Sequence, residues 1–303
     1  MGVEFEALTA PYRRELLAHC YRMSGSAHDA EDLLQETLLR AWRAFGTYDE
    51  TRASLRTWLY RIATNACLTA LKGQARRPLP SGLVGALDDP QAPMTARPEV
   101  PWLQPWRTDP ADVIAARTRL RLAFVAALQF LPARQRAILL LRDVLEFSAA
   151  EVAATLGTTT AAVNSGLQRA RSRVGDVAED DLRPPPDPAV VERYVAAFEN
   201  ADLDALRRLL VADVVLEMPP VLNWYVGADA YADFIARVWA MRGTDWRLLP
   251  IEANGGLAAA AYVDGRAHTI QVFEVAGGAV TRTVVFMDDS LFTAFGLPLI
   301  MPR

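Results

Sequence analysis

Cysteine, histidine and lysine are all scarce in this 303-residue chain, and each shortage excludes something. The two cysteines, Cys20 and Cys67, supply neither a metal-ligand cluster nor a disulfide framework. Both fall within helical apolar patterns and are read as small buried residues. Three histidines scattered along the chain argue against a zinc site, and no metal, cofactor or catalytic centre is expected. Lys72 is the single lysine among 32 cationic side chains, a bias we attribute to genomic base composition. Long apolar runs are missing too. Charge or proline cuts each of them, as Arg134 and Arg136 cut residues 131–141, and none approaches the ~20 residues of a membrane-spanning helix. No cationic segment followed by an apolar stretch opens the chain, so no secretory signal is read. The expectation is a soluble, cytoplasmic protein without membrane contact.

What is present is more directive. Half of the residues are apolar (51%), enough for sizeable cores, and 303 residues leave room for two or three domains of ~100–200 residues. A formal net charge of −4 argues weakly against nucleic acid, but the distribution carries more information than the sum. Residues 184–303 hold 9 Lys+Arg against 15 Asp+Glu, whereas the rest holds 23 against 21. Residues 37–77 carry Arg40, Arg43, Arg52, Arg56, Arg61, Lys72, Arg76 and Arg77 against only Asp49 and Glu50. Just before them stand Asp29, Glu31, Asp32 and Glu36. An acidic patch abutting a basic one on a single small domain points to two different partners.

Proline divides the chain. Residues 78–111 contain eight prolines, which remove backbone donors and forbid a long helix, and residues 184–188 read Pro-Pro-Pro-Asp-Pro. The segments so cut are 1–77, 112–183 and 189–303. In the first, apolar residues at helical spacing predict helices over 5–20, 28–45 and 54–71, the last N-capped by Ser54. The second predicts helices over 111–130, 132–146, 148–156 and 160–174, with Pro132 in a first turn, a capping box from Ser148 and Glu151, and Gly157 as a C-terminal stop. The third opens with a helix over 189–210. Alternating runs then follow at 214–218, 246–253, 258–263, 268–275 and 280–287, with a helix over 228–241 among them. Asn254-Gly255, Asp264-Gly265 and Gly277-Gly278 are hairpin-turn pairs. That pattern is α+β.

Residues 148–174 form a helix, a tight Gly-Thr-Thr turn and a second helix, the arrangement that places a helix in the DNA major groove. The second helix offers Thr159, Thr160, Asn164, Ser165, Gln168, Arg169 and Arg171, with no acidic residue between Gly157 and Val174. Hydroxyls and amides suit base edges and phosphates, and arginines suit backbone phosphates. A plain helical hairpin with a solvated face is the alternative. In the first segment, Asp29, Asp32, Gln35 and Glu36 fall on adjacent turns, either an ordinary solvated face or a surface for a basic protein partner. Phe45, Tyr48, Arg52, Arg56, Arg61, Asn65, Arg76 and Arg77 interleave rings with cations, as single-strand binding requires. Trp58 shares helical spacing with Leu55 and Ile62 and is read as core.

The order DAEDLLQETLLRAWRAF, LRTWLYRIATNACL and LPARQRAILLLRDVLEFSAAEVAATLGTTTAAVNSGLQRARSRV resembles the extracytoplasmic-function sigma factors of the sigma-70 family over residues 1–177. The resemblance implies two all-α domains, region 2 over residues 1–77 and the helix-turn-helix region 4 over 112–183, joined by a flexible linker. It implies binding to bacterial RNA polymerase core and promoter DNA. Asp29, Asp32, Leu33, Gln35 and Glu36 would dock on the clamp helices of the polymerase. The residues from Phe45 to Arg77 would capture and melt the −10 element, and residues 160–174 would read the −35 element. Residues 131–147 would help seat region 4 on the polymerase flap. The linker would thread toward the RNA exit path, although Trp102 and Trp106 are unusual in a spacer and are better suited to packing on protein.

Residues 189–303 resemble the SnoaL-like branch of the NTF2-like fold, an α+β cone with an internal pocket. Glu217, Trp224, Tyr225, Arg266 and His268 are its candidate pocket residues. Some SnoaL-like relatives are polyketide cyclases, so an enzyme with the helical part as sensor is a rival reading, as is a repressor using the helix-turn-helix alone. One histidine with scattered carboxylates is thin support for catalysis. The favoured reading is a non-catalytic sigma factor. Its C-terminal domain would regulate it in cis, through contact with the linker or helical domains and with room for a small ligand.

Overall fold

The computed structural model describes residues 2–108, 120–175 and 187–301. It divides into two compact units, one from residues 1–77 and 112–183, the other from 78–111 and 184–303. The segment between the two helical stretches thus folds with the C-terminal domain.

The helical unit begins with α1 (Gly2–Thr9) and α2 (Arg13–Ser24), where Pro11 interrupts the single helix expected over 5–20 with a turn at Ala10–Tyr12. Next come α3 (Ala27–Ala44) and α4 (Leu55–Ala70), N-capped by Ser26 and Ser54, whose side chains accept from the backbone N–H groups of Asp29 and Thr57. The described part of the helix expected over 111–130 is α5 (Leu122–Gln129), and residues 111–119 lie outside the described ones. α6 (Ala133–Leu139) runs into a π-helical turn at Leu140–Val144. α7 (Ala149–Leu156) carries the Ser148/Glu151 capping box and ends at Gly157 in the left-handed region (φ 58°). α8 (Thr160–Val174) completes the helix-turn-helix, capped by the Thr159 side chain.

A buried cation ties the two halves of this unit. Arg136 on α6, 4% exposed, donates to the Met23 carbonyl at the end of α2 and to Gln129 Oε1 (2.8 Å). Burial lowers its pKa to about 10, so it stays charged and hydrogen-bonded. His19 on α2 is fully buried against Thr64 of α4, with Nε2 and Oγ1 3.0 Å apart. Burial, with Arg22 nearby, lowers its pKa from 6.5 to about 3. Folding therefore disfavours the protonated ring, and the unfolded chain binds more protons between pH 6.5 and about 3. Stability contributed by the neutral ring is complete above pH 6.5 and falls as the pH drops through that window. Chemical denaturation is expected to show a loss of about 2 kcal/mol from this group between pH 7 and pH 5, at ~1.4 kcal/mol per unit below 6.5. A His19→Gln variant should lack that increment; an equal slope in the variant rules His19 out.

The α+β unit is a six-stranded sheet in the order β2-β1-β6-β5-β4-β3, formed by β1 (Leu210–Glu217), β2 (Trp224–Val226), β3 (Trp246–Ala253), β4 (Gly256–Val263), β5 (Arg266–Ala276) and β6 (Ala279–Phe286). The pair β1 and β6 is parallel, whereas β3 to β6 form an antiparallel meander. Positive φ at Asn254 and Gly255, Asp264 and Gly265, and Gly277 and Gly278 gives the turn geometry those pairs imply. The helix expected over 189–210 is two, α9 (Pro188–Glu199) and α10 (Leu203–Arg208), separated where Ala201 takes φ 51°. α9 and α11 (Ala228–Arg242) pack Tyr194, Phe198, Phe234 and Ile235 with Leu216, Ala259, Ala261 and Phe273 of the sheet in one core. α12 (Asp289–Ala294), not anticipated, sets Phe292 edge-on to Tyr262 of β4, with ring centroids 5.3 Å apart.

The proline-rich segment is docked on this unit, in the contact between linker and C-terminal domain that the sequence leads one to expect, and is not the flexible spacer that the sigma-factor resemblance implies. Ser81 N donates to the buried Glu217 carboxylate (2.9 Å), Leu87 N to the Trp224 carbonyl (2.9 Å), and Trp224 Nε1 to the Val84 carbonyl (3.0 Å). Asn223 brackets the next turn: its Oδ1 accepts from Thr95 N (2.9 Å) and its Nδ2 donates to the Pro93 carbonyl (3.1 Å). Arg237 Nη1 donates to the carbonyls of Pro90 (2.8 Å) and Ala92 (2.7 Å). Further on, Trp106 and Asn254 exchange bonds, Trp106 N to Oδ1 (2.9 Å) and Asn254 N to the Trp106 carbonyl (2.8 Å). Proline supplies acceptors without donors, and the domain answers with amide and guanidinium donors.

Candidate nucleic-acid interface

α3 turns its carboxylates outward because Ala30, Leu33, Leu34, Thr37 and Ala41 take the buried stripe. Asp32 and Gln35 are exposed; Glu36 pairs with Arg40 (2.6 Å) one turn on. Asp29 binds Arg77 at 2.6 Å, so a residue expected at the polymerase and one expected at DNA pair with each other. Leu33, which the resemblance places at the polymerase, is 8% exposed and belongs to the buried stripe of α3.

The residues expected at melted DNA lie on and around α4, and the structure brings most of them together. Phe45 and Tyr48 stack with each other (centroids 6.2 Å), and Tyr48 leans on Trp58 (5.1 Å), which is 7% exposed and core as read. Both rings are half-buried in this cluster, so neither is a fully open platform. Arg52 and Arg61 are exposed. Arg76 lies over the Phe130 ring at 4.9 Å.

Arg56 and Asn65 face the opposite half of the unit. Arg56 reaches Glu15 Oε2 and the Leu145 carbonyl, each at 3.4 Å, and its guanidinium carbon sits 5.0 Å from the rings of Tyr60 and Phe147. Thr57 meets Glu151 Oε1 (3.4 Å), and Asn65 Nδ2 donates to the Thr155 carbonyl (3.4 Å). α7 thus covers part of the cationic face of α4. Sequence reasoning missed these partners, since no local pattern marks a contact between residues ~90 positions apart. It missed Asn223 and Arg237 for the same reason.

On α8, Thr159, Thr160, Asn164, Ser165, Gln168, Arg169 and Arg171 are all exposed, because Val163, Gly166, Leu167, Ala170 and Val174 form the buried stripe. Arg171 is held by Asp143 through two bonds (2.8 and 2.7 Å), which fixes one end of the helix surface.

In the C-terminal domain, only His268 of the five residues expected at a pocket lines the cavity between the sheet and α9 and α11. Glu217 and Trp224 hold the linker instead, Tyr225 packs on Phe234 (5.1 Å), and Arg266 is exposed. Strand alternation turns Glu217 away from the cavity that its neighbours Leu216 and Met218 line, whereas Tyr225, the cross-strand partner of Leu216, shares the face of Leu216 and is taken up by packing on Phe234. No cluster of His, Cys, Asp or Glu suited to a metal occurs among the described residues, and none of their helices is long and apolar enough to cross a membrane.

The chain matches the family descriptions Sigma-70 region 2 over residues 8–77, Sigma-70, region 4 over residues 121–174, and SnoaL-like domain over residues 191–288. It is 51% identical over 312 aligned positions to ECF RNA polymerase sigma factor SigG of Mycobacterium tuberculosis (strain CDC 1551 / Oshkosh), covering 97% of this chain and 84% of that one. With ECF RNA polymerase sigma factor SigJ of Mycobacterium tuberculosis (strain ATCC 25618 / H37Rv) it shares 32% identity, over 77% of this chain and 71% of the relative. The crystal structure of Mycobacterium tuberculosis extracytoplasmic function sigma factor SigJ superposes with a TM-score of 0.69 at 28% identity, covering 99% of this chain and all (100%) of that one. The chain therefore belongs to the ECF RNA polymerase sigma factors, non-catalytic factors of transcription initiation, and carries a SnoaL-like C-terminal domain.

Proposed function

We propose that this sigma factor works in the cytoplasm as a promoter-specificity subunit whose helical unit is closed at rest and whose linker is held by the C-terminal domain. Asp29, Asp32, Gln35 and Glu36 dock on core polymerase. Arg52, Arg56, Arg61 and Asn65 hold the opened −10 strand beside the edges of Phe45 and Tyr48, with Arg76 and Arg77 as flanking cations. α8 reads the −35 duplex through Thr159, Thr160, Asn164, Ser165 and Gln168, while Arg169 and Arg171 hold phosphates. The observation that carries the reading is the engagement of Arg56, Thr57 and Asn65 with Leu145, Glu151 and Thr155. The −10 face is partly occupied by region 4, so opening DNA requires the two regions to part. The 3.4 Å contacts are weak, and Arg136 is the main tie to be broken.

Parting the regions calls on the linker, and the linker is bound to the SnoaL-like domain. That arrangement supports regulation in cis. Run-off transcription with purified core polymerase, comparing the full chain with one truncated after Arg183, is the test. The truncated protein is expected to initiate several-fold more or less than the full chain at the same promoter. Equal activity over a range of protein concentrations would remove the C-terminal domain from the mechanism. Absence of any sigma-dependent transcript would overturn the residue roles as well.

A further inference from the structure

A cavity inside the helical unit, at the seam between region 2 and region 4, has a chemically one-sided wall. Ser24, Gln74, Arg76 and Arg77 reach it from region 2, and Gln129 and Arg136 from region 4; no Asp or Glu among the described residues lines it. Its space is about 180 Å3, where roughly 10–15 Å3 suffices for one water. Gln74 and Arg76 are exposed, so solvent reaches the cavity from their side.

Arg136 is the buried member, at 4% exposure. Among the described residues its guanidinium donates to neutral oxygens: the Met23 carbonyl, Gln129 Oε1 (2.8 Å), and the carbonyls of Gln129 (3.4 Å) and Leu131 (3.3 Å). Its Nε has no hydrogen-bond partner there. A cation this deeply buried is as a rule paired with an anion, and a buried donor is as a rule bonded. A charge without a carboxylate and an orphaned donor at one polar cavity point to an occupant that answers both. Arg76 crosses the same seam, its guanidinium carbon 4.9 Å from the centre of the Phe130 ring. Arg77, which Asp29 holds at 2.6 Å, stands beside it with its charge already balanced.

We propose that this cavity binds a small phosphate-bearing anion, either free inorganic diphosphate or the diphosphate of a nucleotide, and that the anion clamps region 2 to region 4. Arg136 supplies the buried charge, Arg76 a planar fork at the open side, and the Gln74 amide a further donor. Because the wall comes from both regions, a bound anion favours the closed helical unit. By linkage, parting the regions expels it. That consequence rests on the opening step proposed above; the site itself does not, and its test needs neither polymerase nor DNA.

The test is calorimetric titration of the full-length protein with inorganic diphosphate at an ionic strength fixed by sodium chloride, with sodium sulfate and ADP as comparison arms. The expected result is saturable binding of diphosphate at a single site, at least about tenfold tighter than sulfate, since diphosphate carries more charge and more acceptor oxygens. ADP as tight as diphosphate assigns a nucleotide as the source, and ADP weaker than diphosphate assigns the free inorganic anion; either upholds the site. Arg76→Gln should weaken diphosphate about tenfold, as loss of a charged hydrogen bond does. Arg13→Gln, which removes the same charge from the exposed start of α2, should leave the affinity unchanged. Arg136→Lys keeps the charge but gives up Nε and the fork, and should weaken diphosphate several-fold. Should that variant unfold, amide exchange in the unaltered protein decides, because saturating diphosphate is expected to slow it in residues 72–77 and 129–136 together. Any of four results overturns the proposal: no saturable binding of diphosphate, diphosphate no tighter than sulfate, equal losses in Arg76→Gln and Arg13→Gln, or exchange unchanged on either side of the seam.

Discussion

Changing Arg56 and Arg61 together to Ala is expected to bring run-off transcription down to the level of core polymerase alone, a loss of roughly 100-fold or more, from ~1–3 kcal/mol for each arginine that contacts DNA specifically. The two lie on α4, half-buried and exposed respectively, and both are proposed to hold the opened strand. Their removal leaves the core of the helix intact, because Trp58, Leu59, Ala63 and Ala66 carry the buried stripe. Core binding is expected to persist, since Asp32, Gln35 and Glu36 are on a different helix. The defect should therefore appear after holoenzyme assembly, as failure to open the promoter. Salt dependence supplies an independent reading. Losing two phosphate contacts on a single strand should flatten the log–log slope of promoter binding by about 1.4, at ~0.7 per phosphate. An unchanged slope with lost transcription would place the defect elsewhere. Arg56→Ala alone should behave differently from Arg61→Ala alone, because Arg56 also contacts Glu15 and the Leu145 carbonyl. Losing Arg56 both weakens DNA contact and loosens region 4, whereas losing Arg61 does only the first.

The helices were legible wherever a local rule sufficed. Ser54, Ser148, Glu151 and Gly157 act over three or four residues, and each does what its type at that spacing implies. The outward faces of α3 and α8 were legible because a 3.6-residue period separates buried from exposed positions. Leu33 shares the apolar stripe with Ala30, Leu34, Thr37 and Ala41, as its helical spacing implies. The short strand Trp224–Val226 and the helix Asp289–Ala294 escaped because pieces of three and six residues show no period. What lay beyond reach was long-range pairing. Proline content correctly ruled out a helix in residues 78–111 but could not say that Asn223, Arg237 and Asn254 would supply donors to its carbonyls. Only Trp102 and Trp106 hinted that the segment packs on protein; Trp106 bonds Asn254 of the domain, whereas Trp102 Nε1 donates to the Arg97 carbonyl within the segment itself. The pocket residues failed for a related reason. Polar chemistry was sought in them, whereas the cavity is apolar and its polar members, Thr269 and Gln271, look like ordinary strand residues.

Releasing the linker is expected to have the largest effect on regulation. Asn223→Ala combined with Arg237→Ala removes the bonds to the backbone of Pro90, Ala92, Pro93 and Thr95. At ~0.5–1.5 kcal/mol for each neutral bond and more for the charged donor, the change is about 3 kcal/mol or more. That corresponds to a shift of roughly 100-fold in the docking equilibrium of this stretch. Limited proteolysis at Arg97 should accelerate by at least an order of magnitude in the full-length variant, while the sheet stays folded, because neither side chain belongs to its core cluster. The consequence for transcription follows from what the linker must do. It joins region 2 to region 4, and in the proposed function promoter opening parts them at the contacts made by Arg56, Thr57 and Asn65. A linker tied across the C-terminal domain adds its own undocking cost to that separation. A free one adds only chain entropy, which grows slowly with length. The double variant is therefore expected to initiate several-fold more often than the unaltered protein at limiting sigma concentration, with the difference shrinking at saturation. Faster proteolysis without any gain in transcription would mean that the linker is docked for structure alone, and that region 4 is released by some other step.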